Sequence, residues 1–481
     1  MNDVCLRLYH SFPAPMRVVT ASLRGLYLRC WRYGVKTDQL VEAALQREHW
    51  DKTQWKKWQE DRLTFILDRA ARHVPYYREQ WALRRRTGDR SSWSYLENWP
   101  ILEKESLRQN SRAFVADNCD IRLMFREHTS GTTGKSLDLW WSRNTVQEWY
   151  ALFEARWRRW YGVSRGDRWA ILGGQLVTSI TRRRPPFWVW NLALKQLYMS
   201  SYHLSPDLIP HYIQALKEYR IRYIFGYTSA LHALAQEILC RGITELQMVV
   251  AITNAEPLSD LQRKAIAEAF QCPVRETYGM AEIVAAASEC DDGRLHLWPE
   301  VGWLEVLENN QPVNKADPGE FVCTGLLNID MPLIRYRVGD RGSIGPVKPC
   351  DCGRTLPSLG TLDGRTDDLL YTRDGREIGR LDPIFKDHLA VREAQILQES
   401  LARIRIRYVP ATNFSLDDAS LMAKRLQQRM GAVEVVLEKV DGIPREHNGK
   451  FRSVICSIPD EEKLYLQKLR MKRASQAFVG D

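Results

Sequence analysis

Long apolar runs, dense cysteine and blocks of one charge are all missing from this 481-residue chain. Its 10 cysteines are too few for a disulfide scaffold at this length, which removes the small disulfide-held secreted proteins. No uninterrupted apolar segment reaches the roughly twenty residues that a bilayer-crossing helix needs. The first residues lack the short apolar core and small-residue cleavage site of a secretory leader. Both absences lead us to expect a cytoplasmic protein. The formal net charge of +10 comes from 69 Lys and Arg mixed with 59 Asp and Glu, and no Lys/Arg tail stands out. There is thus no specific nucleic-acid signal, and the basic surface suits an anionic substrate or lipid headgroups equally. No internal repeat or low-complexity linker divides the chain, whose length supports a large core in more than one domain.

What is present begins with helix. Residues 1 to about 120 carry Leu, Trp, Phe and Ile at helix-like intervals, interrupted at Pro75-Tyr76-Tyr77. Trp50, Trp55 and Trp58 mark a packed helical face, and Pro100 to Lys104 begins another short helix. Val18 to Tyr33 combines Leu23, Leu26, Tyr27, Leu28, Cys30 and Trp31 with Arg24, Arg29 and Arg32. That composition suits either a basic helix packed on its own domain or peripheral membrane contact. Further on, helical and strand-like segments alternate: strands at Leu137–Trp141, Asp167–Gly174, Tyr223–Tyr227 and Met248–Ile252, helices at Thr145–Tyr161, Leu208–Tyr219 and Thr228–Arg241. The alternation predicts an α/β architecture with a substantial parallel component.

The chemistry concentrates at one stretch, Thr129-Ser130-Gly131-Thr132-Thr133-Gly134-Lys135, which follows His128. Glycines let successive backbone N–H groups curve around an anion, and Lys135 sets a positive charge beside it. The spacing is not G-x-x-x-x-G-K-[ST] after a strand, and the loop joins two strand-like pieces instead of opening a long helix. A polar Thr/Gly turn is the alternative. Three later segments add carboxylates and cations: Val274 to Glu282 places a glycine turn and Glu282 after a strand, Ile334 to Asp340 repeats that pattern, and Gly364 to Leu370 is a third polar turn. Asn448-Gly449-Lys450 closes the series.

In this order the motifs resemble the acyl-adenylate-forming superfamily, and within it the phenylacetate-CoA ligase and CapK-like branch. The residues that carry the resemblance are Thr129 to Lys135, Tyr278-Gly279-Met280-Ala281-Glu282, Tyr336-Arg337-Val338-Gly339-Asp340, Gly364-Arg365-Thr366-Asp367-Asp368 and Gly449-Lys450. The resemblance implies a large adenylate-forming domain of mixed sheets and helices, with a helical part at 1–120 and its remainder at 121–366, and a smaller mobile α+β domain at 367–481. It also implies ATP plus a carboxylic acid going to acyl-AMP and pyrophosphate, a reaction between two anions that needs charge neutralisation and alignment. The glycine-rich loop would hold the phosphates and Glu282 would ligate Mg²⁺, a cation that takes oxygen ligands. Tyr278 would lie against adenine or near the carboxylate, Asp340 would accept from the ribose hydroxyls, and Arg365 would contact the nucleotide. Ala255, Glu256 and Pro257 resemble the segment that approaches adenine. Lys450 would reach the acid carboxylate and α-phosphate, then leave as the small domain turns about Asp367.

Cys290, His296, Cys350 and Cys352 form a complete Cys₃His donor set for tetrahedral zinc, and the branch resembled carries such a structural cluster. Free buried cysteines and an ordinary histidine are the alternative. Thr372 to Arg380 is charged where acyl-CoA ligases carry glycines, which counts against coenzyme A as acceptor more than against adenylation. An amine or hydroxyl acceptor stays open, as do an aryl-CoA ligase and an inactive nucleotide-binding scaffold. Trp169, Tyr198, Phe225 and Tyr227 are candidates for an aromatic acid pocket or for core. Arg182-Arg183-Arg184 would greet an anionic acceptor or form a solvated loop.

Overall fold

The computed structural model describes the chain apart from residues 1–2, 129–136, 180, 205–206, 257, 259, 309, 315–316, 318, 346–348, 363–369, 379–380, 386–388, 411–412, 444–453, 460, 464 and 467–481. Up to Arg86 the chain is helical as the periodicity predicts, with α1 (Asp3–Ser11), α2 (Ala14–Arg32), α3 (Thr37–Arg47), α4 (Lys52–His73) and α5 (Pro75–Arg86); the rest of the expected helical part holds only α6 (Lys104–Gln109) and short 3-10 turns. A capping box starts α4, because the Asp51 carboxylate accepts from the N–H groups of Thr53 and Gln54 while the Gln54 side chain accepts from the Asp51 N–H. Pro75 opens α5, where the first turn needs no N–H, so the interruption is a helix–helix junction. The three tryptophans do form a packed face, with Trp55 buried between Trp50 at 5.1 Å and Trp58 at 6.0 Å.

The glycine-rich stretch is flanked by a hairpin. Strands β1 (Phe125–His128) and β2 (Asp138–Trp141) pair antiparallel from Phe125↔Trp141 to His128↔Asp138, as expected for a loop joining two strands. Asn328 Nδ2 donates to the Trp140 carbonyl at 3.0 Å and fixes the hairpin to the body. After α7 (Arg143–Arg156) come β3 (Trp169–Gly173), β4 (Trp188–Asn191), β5 (Gln196–Ser200), α8 (Ile209–Glu218), β6 (Tyr223–Tyr227), α9 (Thr228–Cys240), β7 (Val250–Asn254), α10 (Asp260–Phe270), β8 (Val274–Gly279), β9 (Ala286–Glu289) and β10 (Leu295–Leu297). They build an eight-stranded sheet ordered β10-β9-β8-β7-β6-β3-β5-β4, parallel from β8 to β5.

Side chains alternate across this sheet with the two-residue strand period. Tyr223, Phe225, Val250 and Ile252 face the core shared with the N-terminal helices and α7. Ile224, Ala251 and Val274 face α8, α9 and α10. Trp169 and Phe225 therefore belong to core: Trp169 stacks on Tyr223 at 5.8 Å and Phe225 packs against Phe153 and Trp157. Tyr198 and Tyr227 are half-buried beside Gly173 and Gly174 at the C-terminal end of β3.

A second sheet, ordered β12-β11-β13-β14-β15, is built from β11 (Gly302–Glu308), β12 (Gln311–Pro312), β13 (Gly319–Gly325), β14 (Tyr336–Ile344) and β15 (Leu359–Leu362). Beyond it, β16 (Leu370–Tyr371) and β17 (Glu377–Ile378) form a short hairpin. Then β18 (Val391–Ser400), β19 (Arg403–Pro410), α11 (Leu416–Met430), β20 (Glu434–Lys439) and β21 (Val454–Cys456) make a four-stranded α+β unit ordered β20-β19-β18-β21. This unit has its own core of Ile396, Ile404, Ile406, Met422 and Leu426. The chain is thus a large mixed α/β domain followed by a smaller α+β domain.

Candidate functional site

The parallel strands β6, β7 and β8 end on one edge of the sheet, the usual place for ligands in α/β folds because the loops there are free of the ladder. The turn after β7 holds Asn254, Ala255 and Glu256. Ala255 has φ +64°, and the Glu256 carbonyl accepts from Thr228 Oγ1 at 3.0 Å, which pins this turn to the start of α9. From the end of β8, Tyr278 is buried and its hydroxyl donates to Asp340 Oδ2 at 2.8 Å. Asp340 does not follow a strand, as the motif spacing suggests; it sits inside β14. There Arg337 opposes Val322 and Arg341 opposes Glu320, so three residues bulge from the ladder. Gly339 at φ +85° makes the bulge, and the bulge sets Asp340 against Tyr278.

Glu282 follows β8 and is buried. Its Oε1 accepts from Lys104 Nζ at 2.9 Å and from the Tyr336 hydroxyl at 2.9 Å. Burial works to raise the pKa of this carboxyl, but the Lys104 ammonium and the hydrogen bonds outweigh it, leaving the pKa below the ordinary value. Glu282 is therefore ionised at neutral pH. The backbone explains how Lys104 arrives. Leu102 bridges to the start of β14, donating its N–H to the Arg335 carbonyl at 2.9 Å and accepting from the Arg337 N–H at 3.0 Å. The predicted short helix starts only at Lys104, because Ile101 to Glu103 are extended along this bridge.

Glu276, also near the end of β8, has the opposite electrostatics. Burial and the neighbouring Glu289 carboxylate push its pKa from 4.5 up to about 7, against the opposing pull of Arg263. Its folded form therefore keeps a proton that the unfolded chain releases near pH 4.5. Folding stability falls as pH rises from about 4.5 to about 7, and the loss is complete above pH 7. Glu276→Gln should remove this slope and raise stability at pH 8 by about 2 kcal/mol. Thermal unfolding of both proteins at pH 5 and pH 8 checks this, and an equal pH dependence in the two would refute it.

Cys290, His296, Cys350 and Cys352 converge: their donor atoms lie within 4.8 Å of one another. Cys290 Sγ and Cys350 Sγ are 3.6 Å apart, and Cys352 Sγ is 3.4 Å from His296 Nε2. A disulfide needs about 2.05 Å. Donors on a tetrahedron with zinc–sulfur arms of about 2.3 Å stand about 3.8 Å apart, close to the observed spacing. His296 Nδ1 lies 2.9 Å from the Leu356 carbonyl, a contact that fixes Nδ1 as the donor and leaves Nε2 to ligate. The donor set fits zinc.

Comparison with known proteins shows what the chain as a whole is similar to. Residues 370–457 match the family model of the CapK C-terminal domain. Protein CapK of Staphylococcus aureus is 26% identical over 380 residues, covering 77% of this chain and 82% of that protein. A phenylacetate-coenzyme A ligase of Pseudomonas putida is 26% identical over 329 residues, covering 66% and 72%. By these matches the chain is similar to the CapK and phenylacetate-CoA-ligase-like branch of the acyl-adenylate-forming superfamily, the branch that its motif order resembles. Its fold is shared with the crystal structure of 2-hydroxyisobutyryl-CoA ligase in complex with 2-HIB-AMP and CoA in the thioesterification state (TM-score 0.55, 21% identity, 88% of this chain and 94% of that one).

In this chain the structure brings Tyr278 of β8 to Asp340 and Glu282 of the following turn to Tyr336, in both cases linking the end of β8 to the second sheet. Ala255 and Glu256 lie at the end of the neighbouring strand β7. Thr129, Ser130, Gly131, Thr132, Thr133, Gly134, Lys135, Pro257, Arg365, Asp367 and Lys450 lie outside the described residues. Two site residues carried no signal as such. Tyr336 stood in a motif without a role, and Lys104 stood 178 positions from its partner in an ordinary Glu-Lys pair.

Proposed function

We infer that this ligase activates a carboxylic acid with ATP and passes the acyl group to a nucleophilic acceptor. A carboxylate oxygen attacks the α-phosphorus, the bond to the β-phosphate breaks, and pyrophosphate leaves. The acceptor then adds to the acyl carbonyl and AMP departs. The observation that carries this reading is the joint placement of Tyr278, Asp340 and Glu282 where two sheets meet. There Asp340 would accept from ribose hydroxyls, Tyr278 would flank the nucleotide, and Glu282 would hold Mg²⁺, a cation that would supply charge neutralisation at the reacting phosphates. The loop 129–135 and Lys450 take the phosphate and carboxylate contacts that the resemblance implies. We propose a cytoplasmic location, a compartment that supplies ATP.

The names of the phenylacetate-CoA ligase relatives favour a thiol acceptor, coenzyme A. The charged β16–β17 turn, where Arg376 donates to Asp374 at 2.8 Å, favours an amine or hydroxyl instead. Mass spectrometry after incubation with ATP, Mg²⁺ and a carboxylic-acid library, with CoA or with a mixed amine and hydroxyl pool, separates these. Acyl-AMP with one acceptor adduct is expected. Absence of any adenylate, together with no detectable ATP binding, would instead make the chain an inactive scaffold.

We assign the Cys₃His cluster to structural zinc. It ties the β9–β10 turn to the segment before β15, whose Arg354 donates to Glu48 Oε2 at 3.2 Å. Elemental analysis should find one zinc per chain, and a strong chelator should lower the unfolding temperature by about 5 °C or more. Zinc-free protein of unchanged stability would reject the assignment.

A further inference from the structure

Helix α2 has two dissimilar faces. One is seated on the domain: Gly25 meets the Asn191 side chain so closely that any Cβ would collide, and buried Arg17 donates to the Val177 carbonyl at 3.3 Å. The packed-helix reading therefore holds for this face. With 3.6 residues per turn, Met16, Val19, Leu23, Leu26, Tyr27 and Cys30 fall on the opposite face within an arc of roughly 100°. Met16, Val19, Leu23, Leu26 and Tyr27 are 46–65% exposed. Leu192 of the β4–β5 turn, whose N–H donates to Ser22 Oγ at 3.1 Å, is exposed beside it. A contiguous apolar strip of this kind marks a contact surface.

Charge identifies the occupant. Residues 4–37 contain no Asp or Glu. Arg24 and Arg29, both exposed, border the apolar arc on its two sides. The Arg182-Arg183-Arg184 loop comes close enough for the Arg182 charge to act on Arg17, and Arg183 and Arg184 are exposed. A cavity of about 450 Å³ opens beside the end of α2, with Arg29, Arg32, Arg165 and Lys195 in its wall. An apolar strip edged by cations, on a segment with no carboxylate of its own, matches the boundary between acyl chains and phosphate headgroups.

We propose that α2 docks this ligase on an anionic phospholipid bilayer, lying in the plane of the interface with its apolar arc among the upper acyl carbons and its arginines on lipid phosphates. No described helix is long and apolar enough to cross a membrane, so this contact is peripheral. The inference stands apart from the adenylation reading and does not depend on the acid or acceptor.

Co-sedimentation with vesicles of phosphatidylglycerol and phosphatidylcholine, against vesicles of phosphatidylcholine alone, tests it. The full chain should bind the anionic vesicles, and 0.5 M salt should weaken that binding. Leu23→Glu with Leu26→Glu should lower the bound fraction at least about tenfold. Arg24→Gln with Arg183→Gln and Arg184→Gln should move the loss of binding to lower salt. Unchanged thermal unfolding of each variant shows that the fold is intact. A wild-type chain that binds neither vesicle, or a double glutamate variant that binds like wild type, overturns the proposal. So does a lipid-free dimer that Leu23→Glu with Leu26→Glu dissociates while vesicles capture nothing, since the strip would then join two copies of this chain.

Discussion

Arg156→Ala is expected to destabilise the large domain by about 3–5 kcal/mol, the range for removing one partner from a buried ion pair. Arg156 is fully buried in α7. It donates to both oxygens of Glu300, at 2.8 and 2.9 Å, and to Glu48 Oε1 at 3.2 Å. Trp160 Nε1 also donates to Glu48 Oε1, at 2.7 Å. Truncation leaves two buried carboxylates with only peripheral cations, Arg47 on Glu300 at 3.0 Å and Arg354 on Glu48 at 3.2 Å. The energy lost is then mostly desolvation of those carboxylates. Burial tends to raise the pKa of Glu300, but the Arg156 guanidinium outweighs it and holds the carboxyl below its ordinary value. Its stabilising share is therefore present above the unfolded value and is lost as pH falls through the folded one. All 17 tryptophans lie at or before Trp303, so tryptophan fluorescence in urea reports this domain alone. Arg156→Lys, which keeps charge but not the two-pronged geometry, should fall between. A loss under about 1 kcal/mol in Arg156→Ala would show that Arg47 and Arg354 suffice.

Glu282→Gln should lower adenylation by about 10²–10³-fold, the scale for deleting one preorganised electrostatic contact at a reacting centre. The amide keeps the shape and can still accept from Lys104 and Tyr336, so folding should be nearly unchanged. What disappears is the negative charge that a divalent cation requires. Pyrophosphate release, measured with the acid found by mass spectrometry, should therefore fall and demand more Mg²⁺. Because Lys104 now answers the charge of Glu282, Lys104→Ala offers a contrast: it should leave the carboxylate in place and raise its pKa by removing the ammonium. Equal pyrophosphate release by wild type and Glu282→Gln would remove Glu282 from the chemistry and leave it a structural partner of Lys104.

The helices up to Arg86 and the alternating α/β middle were legible because amphipathic periods and strand–turn–helix punctuation are local signals, while most of 87–120 is turns rather than the expected helix. The Cys₃His set was legible as a donor inventory, though not as a cluster. Cys290 and Cys350 are 60 positions apart, and only the antiparallel β9–β10 turn and the approach to β15 bring them to 3.6 Å. Asp340 was misplaced after a strand because a bulge depends on pairing with β13, a partner that the local motif does not contain. Trp169, Tyr198, Phe225 and Tyr227 could not be sorted into core and pocket from their residue types. The sheet's period and its helical covering divided them.

Residue chemistry and motif order alone pointed to the superfamily resembled, to a large and a small domain, and to the carboxylate and sulfur positions that carry chemistry. These follow from short-range constraints: a phosphate loop needs glycine, and a helix needs its apolar period. Tertiary structure alone decided that Lys104 meets Glu282, that Asp340 meets Tyr278, and that the apolar arc of α2 stays outside while Gly25 seats the other face. Each of these joins segments distant in sequence, and the free energy that fixes them comes from burial and pairing between elements, which no local pattern encodes.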